Sequence, residues 1–135
     1  MHFVEEKRVS VGEGKFTVNL AATITRNGII VIILGGERPH IGAIALSIPR
    51  PSLADSSRLS ATTSVLTLTG HKDDEVARPA AEKLATELNQ IVVAVVGLHV
   101  EHAKKEDLKK LLANSTEAIE IFLRESGYNF EMRQS

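Results

Sequence analysis

Residues 15–34 read KFTVNLAATITRNGIIVIIL. In the first half Phe16, Val18, Leu20, Ala22 and Ile24 alternate with Lys15, Thr17, Asn19 and Thr23. Side chains on a strand point alternately to opposite faces, so this period predicts a strand with one face buried. Arg26-Asn27-Gly28 follows, and Asn and Gly accept the positive φ that a tight turn demands. The run Ile29–Leu34 is then continuous and β-branched, which predicts a central strand covered on both faces. The two strands are expected to form a hairpin.

Working outward, Gly35-Gly36-Glu37-Arg38-Pro39-His40 is a loop leading to an apolar, alanine-rich strand over 41–48. Pro49-Arg50-Pro51 is expected to end it, because proline brings no ladder donor. Residues 52–60 are small and polar, and strand character returns over 61–69. From Asp73 the period changes. Val76, Ala77, Ala80, Ala81, Leu84 and Leu88 fall on one helical stripe, with Asp73 or Asp74 as the cap. Pro79 is expected to bend this helix or delay its start. Residues 91–96 make another buried strand, and Gly97 opens a polar loop. Leu108, Leu111, Leu112, Ser115, Ile119 and Phe122 then mark a second amphipathic helix, with a kink expected at 114–116 and an end at Gly127. This order predicts an α+β fold: a mostly antiparallel sheet with two helices packed on one face.

A chain of 135 residues is long enough for one domain with a real core, and neither a repeat nor a linker divides residues 1–135. A formal net charge of -1 provides no bulk attraction to nucleic acid or to an anionic membrane. With no cysteine, disulfides, thiolate metal sites and cysteine nucleophiles are excluded, and a reducing, cytoplasmic setting is expected. The N-terminal residues alternate charge with apolar side chains and do not form a signal peptide. Asn114-Ser115-Thr116 fits a glycosylation sequon, expected to be a chance match within a helix.

Chemistry concentrates in loops. His40, His71, His99 and His102 lie at or beside strand ends, with Glu37, Asp73, Asp74 and Glu101 near them in sequence. Imidazole and carboxylate are the ligands of a divalent first-row metal when thiolates are missing. The same histidines also suit hydrogen-bonded surface positions, the simpler reading for His102 and His2. Gly35-Gly36 and the segment Gly70-His71-Lys72-Asp73-Asp74 offer backbone donors, a lysine and a helix start, the makings of an anion cradle. Turn-making and capping account for them equally. Ser56, Ser57, Ser60, Thr62, Thr63 and Ser64 could donate to a phosphate or simply fill a loop. No GxSxG elbow, P-loop, GxGxxG or HExxH occurs.

Taken in order, five phrases form a signature: residues 35–46 (GGERPHIGAIAL), Pro49-Arg50-Pro51-Ser52-Leu53, Ser64-Val65-Leu66-Thr67, Gly70-His71-Lys72-Asp73-Asp74 and Val95-Val96-Gly97-Leu98-His99-Val100. Over roughly residues 15–125 they resemble the LpdD-like proteins, prenylated-flavin chaperones associated with UbiD-type decarboxylases. That domain is similar in fold to the proteasome assembly chaperones, small α+β proteins that commonly pair. The resemblance implies an accessory protein, more a cofactor chaperone than an enzyme. It would bind prenylated flavin mononucleotide and assist its delivery or maturation for a UbiD-type decarboxylase, working as a homodimer or higher homo-oligomer.

By the same resemblance, Gly35, Gly36, Arg50, Ser64 and Lys72 are the candidate cofactor-binding residues. Lys72 and Arg50 would neutralise the phosphate while Ser64 donates to it. His40, His71 and His99 would be ligands of a divalent metal or partners of the phosphate. With no Trp and one Tyr, the chain has few aromatic residues to clamp a flavin ring, so Ile41 and Leu98, or a second subunit, would serve. Two other roles compete: an assembly scaffold acting through its surface, and a small metal-dependent enzyme.

Overall fold

The computed structural model describes residues 5–38, 40–68 and 73–134, the last eight as backbone only. Six strands form one sheet: β1 (Glu5–Val11), β2 (Val18–Ile24), β3 (Gly28–Gly36), β4 (Ala43–Pro51), β5 (Leu59–Thr67) and β6 (Ile91–His99). Their order across the sheet is β1-β2-β3-β6-β4-β5. Every pairing is antiparallel except that of β3 with β6. Helix α1 (Asp74–Leu88) packs on β4, β5 and β6, and α2 (Lys105–Gln134) packs on β1, β2 and α1. Both helices cover one face, as the sequence predicts.

The expected hairpin forms, with Val18 opposite Gly35 and Ile24 opposite Ile29. Thr25 closes its turn: the Oγ1 bonds the Gly28 carbonyl at 2.7 Å, and the Thr25 amide donates to the same oxygen at 2.8 Å. The core lies between sheet and helices. Val18, Leu20, Val31, Ile33, Ala94 and Val96 meet Leu84, Ala77, Leu111 and Phe122 there, all at most 1% exposed.

Several expectations are corrected. The run Ile29–Leu34 is covered on one face only: Ile29, Val31 and Ile33 are buried, but Ile30 is 44% exposed. The helices claim one face, and nothing in the chain's described residues packs on the other. β4 runs on through Pro49 and Pro51, because β6 pairs with it only as far as Ser47. Past that point β4 bonds only β5, and a strand without a neighbour on one side tolerates proline. Pro79 lies inside α1, whose start at Asp74 is not delayed. Helix α2 continues beyond Gly127. β1 escapes the sequence reading, since this edge strand, EEKRVSV, buries little beyond Val9 and pairs Lys7 with Glu5 at 3.4 Å. Asn114 is structural: its Nδ2 donates to the Phe16 carbonyl at 2.8 Å, joining α2 to the turn Gly14–Phe16 before β2.

Candidate functional site

The parallel pair β3 and β6 ends at one rim of the sheet, with Gly36 aligned with His99. Their chains part there. β3 must cross β6 to begin β4, whereas β6 leaves towards α2. A crevice beyond the carboxyl ends of parallel strands, where connections diverge, is where open α/β sheets hold ligands. The start of β4, the end of β5 and the N-terminus of α1 meet the same rim. Leu68 donates to the Gly42 carbonyl at 2.9 Å, and Gly42 donates to the Val96 carbonyl at 2.9 Å.

Small residues make the crossing possible. Gly36 has φ +87, in the left-handed region where a side chain is costly. A Cβ on Gly97 would run into the backbone of His40, and a Cβ on Gly42 into the carboxylate of Asp73. The loop is therefore drawn down against β6. Glu37 stitches it there by donating its amide to the His99 carbonyl at 2.7 Å.

Five ionisable side chains gather at this rim: His40, His99, Asp73, Glu101 and Arg38. The His40 and His99 rings lie edge to face, 5.7 Å between centroids at 82°. His40 Nδ1 is 2.9 Å from the Arg38 carbonyl, which can only accept, so that nitrogen carries the proton. The other ring nitrogen, Nε2, lies 3.6 Å from Asp73 Oδ2. Asp73 is 5% exposed, and its Oδ1 accepts the Leu98 amide at 3.0 Å. Glu101 Oε1 is shared between Arg38, at 3.0 Å, and His99 Nε2, at 3.5 Å. The result is a layered electrostatic unit of two imidazoles, each backed by a carboxylate, with one guanidinium at the surface.

Of the expected site residues, Gly35, Gly36, His40 and His99 come together, with Ile41 and Leu98 beside them. His71, Lys72 and Gly70 lie outside the described residues, between the anchored Leu68 and Asp73. Arg50 does not join the rim within one chain. β4 runs antiparallel to β6, so Arg50 lies seven residues beyond Ala43, towards the opposite end of the sheet. There Arg50 Nε donates to Thr62 Oγ1 at 2.8 Å. Ser64 pairs with Leu46 midway along the edge strand β5, exposed. The Gly36 amide does not point to a ligand, since it donates to the Thr17 carbonyl at 3.2 Å. Ser57, from the serine-rich loop, turns its hydroxyl and amide to Asp55, holding that carboxyl below its usual pKa.

The metal expectation finds no support among the described residues, where no group of three or more His, Asp or Glu side chains is arranged to hold an ion. The geometry explains why: His40 and His99 turn their Nε2 atoms to separate carboxylates. His102 stands apart in a turn with φ 52. Asp73 holds the N-cap position of α1, one of the two residues expected there, but its side chain makes no cap bond and instead faces His40 and Leu98, a role that sequence reading missed. The available signal was its redundancy, since Asp74 and Glu75 already supply negative charge to the first turn.

Fold and rim together define a single-sheet α+β domain with a polar, imidazole-bearing end beside an uncovered apolar face. A family model for the prenylated flavin chaperone LpdD-like domain matches residues 12–126, and the chain belongs to that family of chaperones. Comparison with curated proteins gave no match. No helix among the described residues is long and apolar enough to cross a membrane.

Proposed function

We propose that this protein binds prenylated flavin mononucleotide at the His40–His99 rim and assists its delivery or maturation for a UbiD-type decarboxylase. Family membership supports the cofactor class. The observation that carries the site is the edge-to-face pair of imidazoles, backed by Asp73 and Glu101, at the carboxyl ends of the parallel strands. Imidazole N–H groups and the Arg38 guanidinium suit a phosphate or the carbonyl edge of a flavin. Leu34, Ile41 and Leu98, next to that rim, offer the apolar surface a tricyclic ring needs, and the histidine rings add flat faces.

In this reading His71 and Lys72 belong to the same site, since they directly precede Asp73 in the chain. Lys72 would then supply a phosphate-directed charge. The protein's part is to orient and shelter the cofactor, in the cytoplasmic setting that its lack of cysteine suits. Prenylated flavin mononucleotide supplies the chemistry of decarboxylation once it reaches the decarboxylase.

The test is direct. Purified protein is incubated with prenylated flavin mononucleotide and desalted, and the absorbance of the protein fraction is recorded. Retained cofactor at about one per site, lost in His40→Ala and His99→Ala variants that still fold, is the expected result. A colourless wild-type protein rejects the reading.

A further inference from the structure

Between α1 and α2 lies a notch of about 240 Å³ lined by both helices. Its floor is apolar and buried: Val76 and Ala80 of α1 with Ile119 of α2. Pro79 of α1 and Leu112 of α2 stand exposed at its edges, Leu112 by 42%. Leu108, 47% exposed, carries the apolar stripe one turn further along α2.

Pro79 gives this notch its chemistry. It sits inside α1, where proline is costly because its nitrogen carries no hydrogen and its ring crowds the carbonyl four residues earlier. That carbonyl belongs to Glu75, which lines the same notch. The helix therefore offers the Glu75 oxygen no donor from position 79, and the crowding tilts it outwards, away from the axis. The cation in the lining, Lys83, is drawn across to Glu120 of α2 at 3.1 Å. An acceptor is left beside an apolar hollow.

We infer that this notch is a docking site for a tryptophan side chain of a partner protein. Its size, its acceptor and its surroundings select that occupant. A dry cavity of about 150 Å³ holds one benzene ring, so the larger notch suits a bicyclic ring better than a phenyl or phenol. Pockets that enclose whole small ligands begin at roughly 300 Å³, which leaves this one to a single side chain. The Glu75 oxygen calls for a donor on an otherwise apolar group, and the indole N–H donates without accepting. Tryptophan anchors of interfaces sit in such pockets, ringed by contacts that exclude water, and Leu108 and Leu112 supply that ring. Glu75 follows Asp73 by two residues, so a partner anchored here stands close to the rim.

The chain has no Trp, so the fluorescence of added N-acetyltryptophanamide reports on the probe alone. Titrating the full chain into this probe should give a saturable blue shift. Leu112→Glu, at an exposed position and with an unchanged circular dichroism spectrum, should abolish it. Pro79→Ala returns an N–H to the Glu75 carbonyl; it should raise the melting temperature yet weaken probe binding about three- to tenfold. The 1-methyl analogue of the probe has no indole N–H and should bind wild type and Pro79→Ala alike. No saturable shift with wild type, binding indifferent to Leu112→Glu, or equal weakening of both probes by Pro79→Ala overturns the inference. Tighter binding of N-acetyltyrosinamide or N-acetylleucinamide, measured by competition, would assign the notch to those side chains and overturn it as well.

Discussion

His40 Nε2 and Asp73 Oδ2 stand 3.6 Å apart at the end of the sheet, one from the loop after β3 and the other from the start of α1. Because His40 Nδ1 donates to the Arg38 carbonyl, this contact becomes a good hydrogen bond only when a proton lies between Nε2 and the carboxylate. The pair brings two chain segments together at the rim.

Asp73→Ala should lower stability by about 1–3 kcal/mol, since it leaves the Leu98 amide and His40 facing an empty space. Asp73→Asn should cost less, because its amide oxygen still accepts from Leu98 and its NH2 can donate to a neutral His40. Urea denaturation of the three proteins gives the ranking. Equal stability of Asp73→Ala and wild type would reduce Asp73 to a helix-end residue.

Gly97→Ala forces the His40 backbone away from β6, and overpacking of this kind costs about 1–3 kcal/mol. The folded fraction should retain the far-ultraviolet spectrum of wild type while cofactor retention falls several-fold. Thermal melts and the desalting assay on one preparation separate the two effects. Unchanged retention would show that the loop's height over β6 does not matter to binding.

Phe122 is fully buried where α2 meets the sheet, and truncation to alanine should cost about 3–5 kcal/mol. Asn114→Ala removes only the bond to the Phe16 carbonyl and should cost about 1 kcal/mol. Comparing their denaturation midpoints checks the ordering of these two anchors of α2. A larger loss from Asn114→Ala would contradict it.

Much of this architecture is legible in residue order. The alternation of Val18 to Ile24, the Asn27-Gly28 turn and the helical stripe from Val76 to Leu88 each record a local rule that the fold obeys. Features that depend on neighbours are not legible. β1 is a strand because β2 offers it an edge, not because Glu5–Val11 alternates cleanly. Pro49 and Pro51 sit in β4 because β6 stops short. Asp73 looks like a cap until the crossing loop brings His40 to it, and no spacing in the sequence encodes that meeting. Arg50 was expected at the same site as Gly35 and Gly36 but lies toward the opposite end of the sheet, since its place depends on strand direction.

The most direct test of the His40–His99 rim as the cofactor site is an equilibrium titration of prenylated flavin mononucleotide, followed by absorbance, into wild-type protein and His99→Ala. Loss of one charge-assisted contact is worth roughly 1.5–3 kcal/mol, so Kd should rise by about tenfold or more. Equal affinity in a properly folded His99→Ala protein would place the cofactor elsewhere on the molecule.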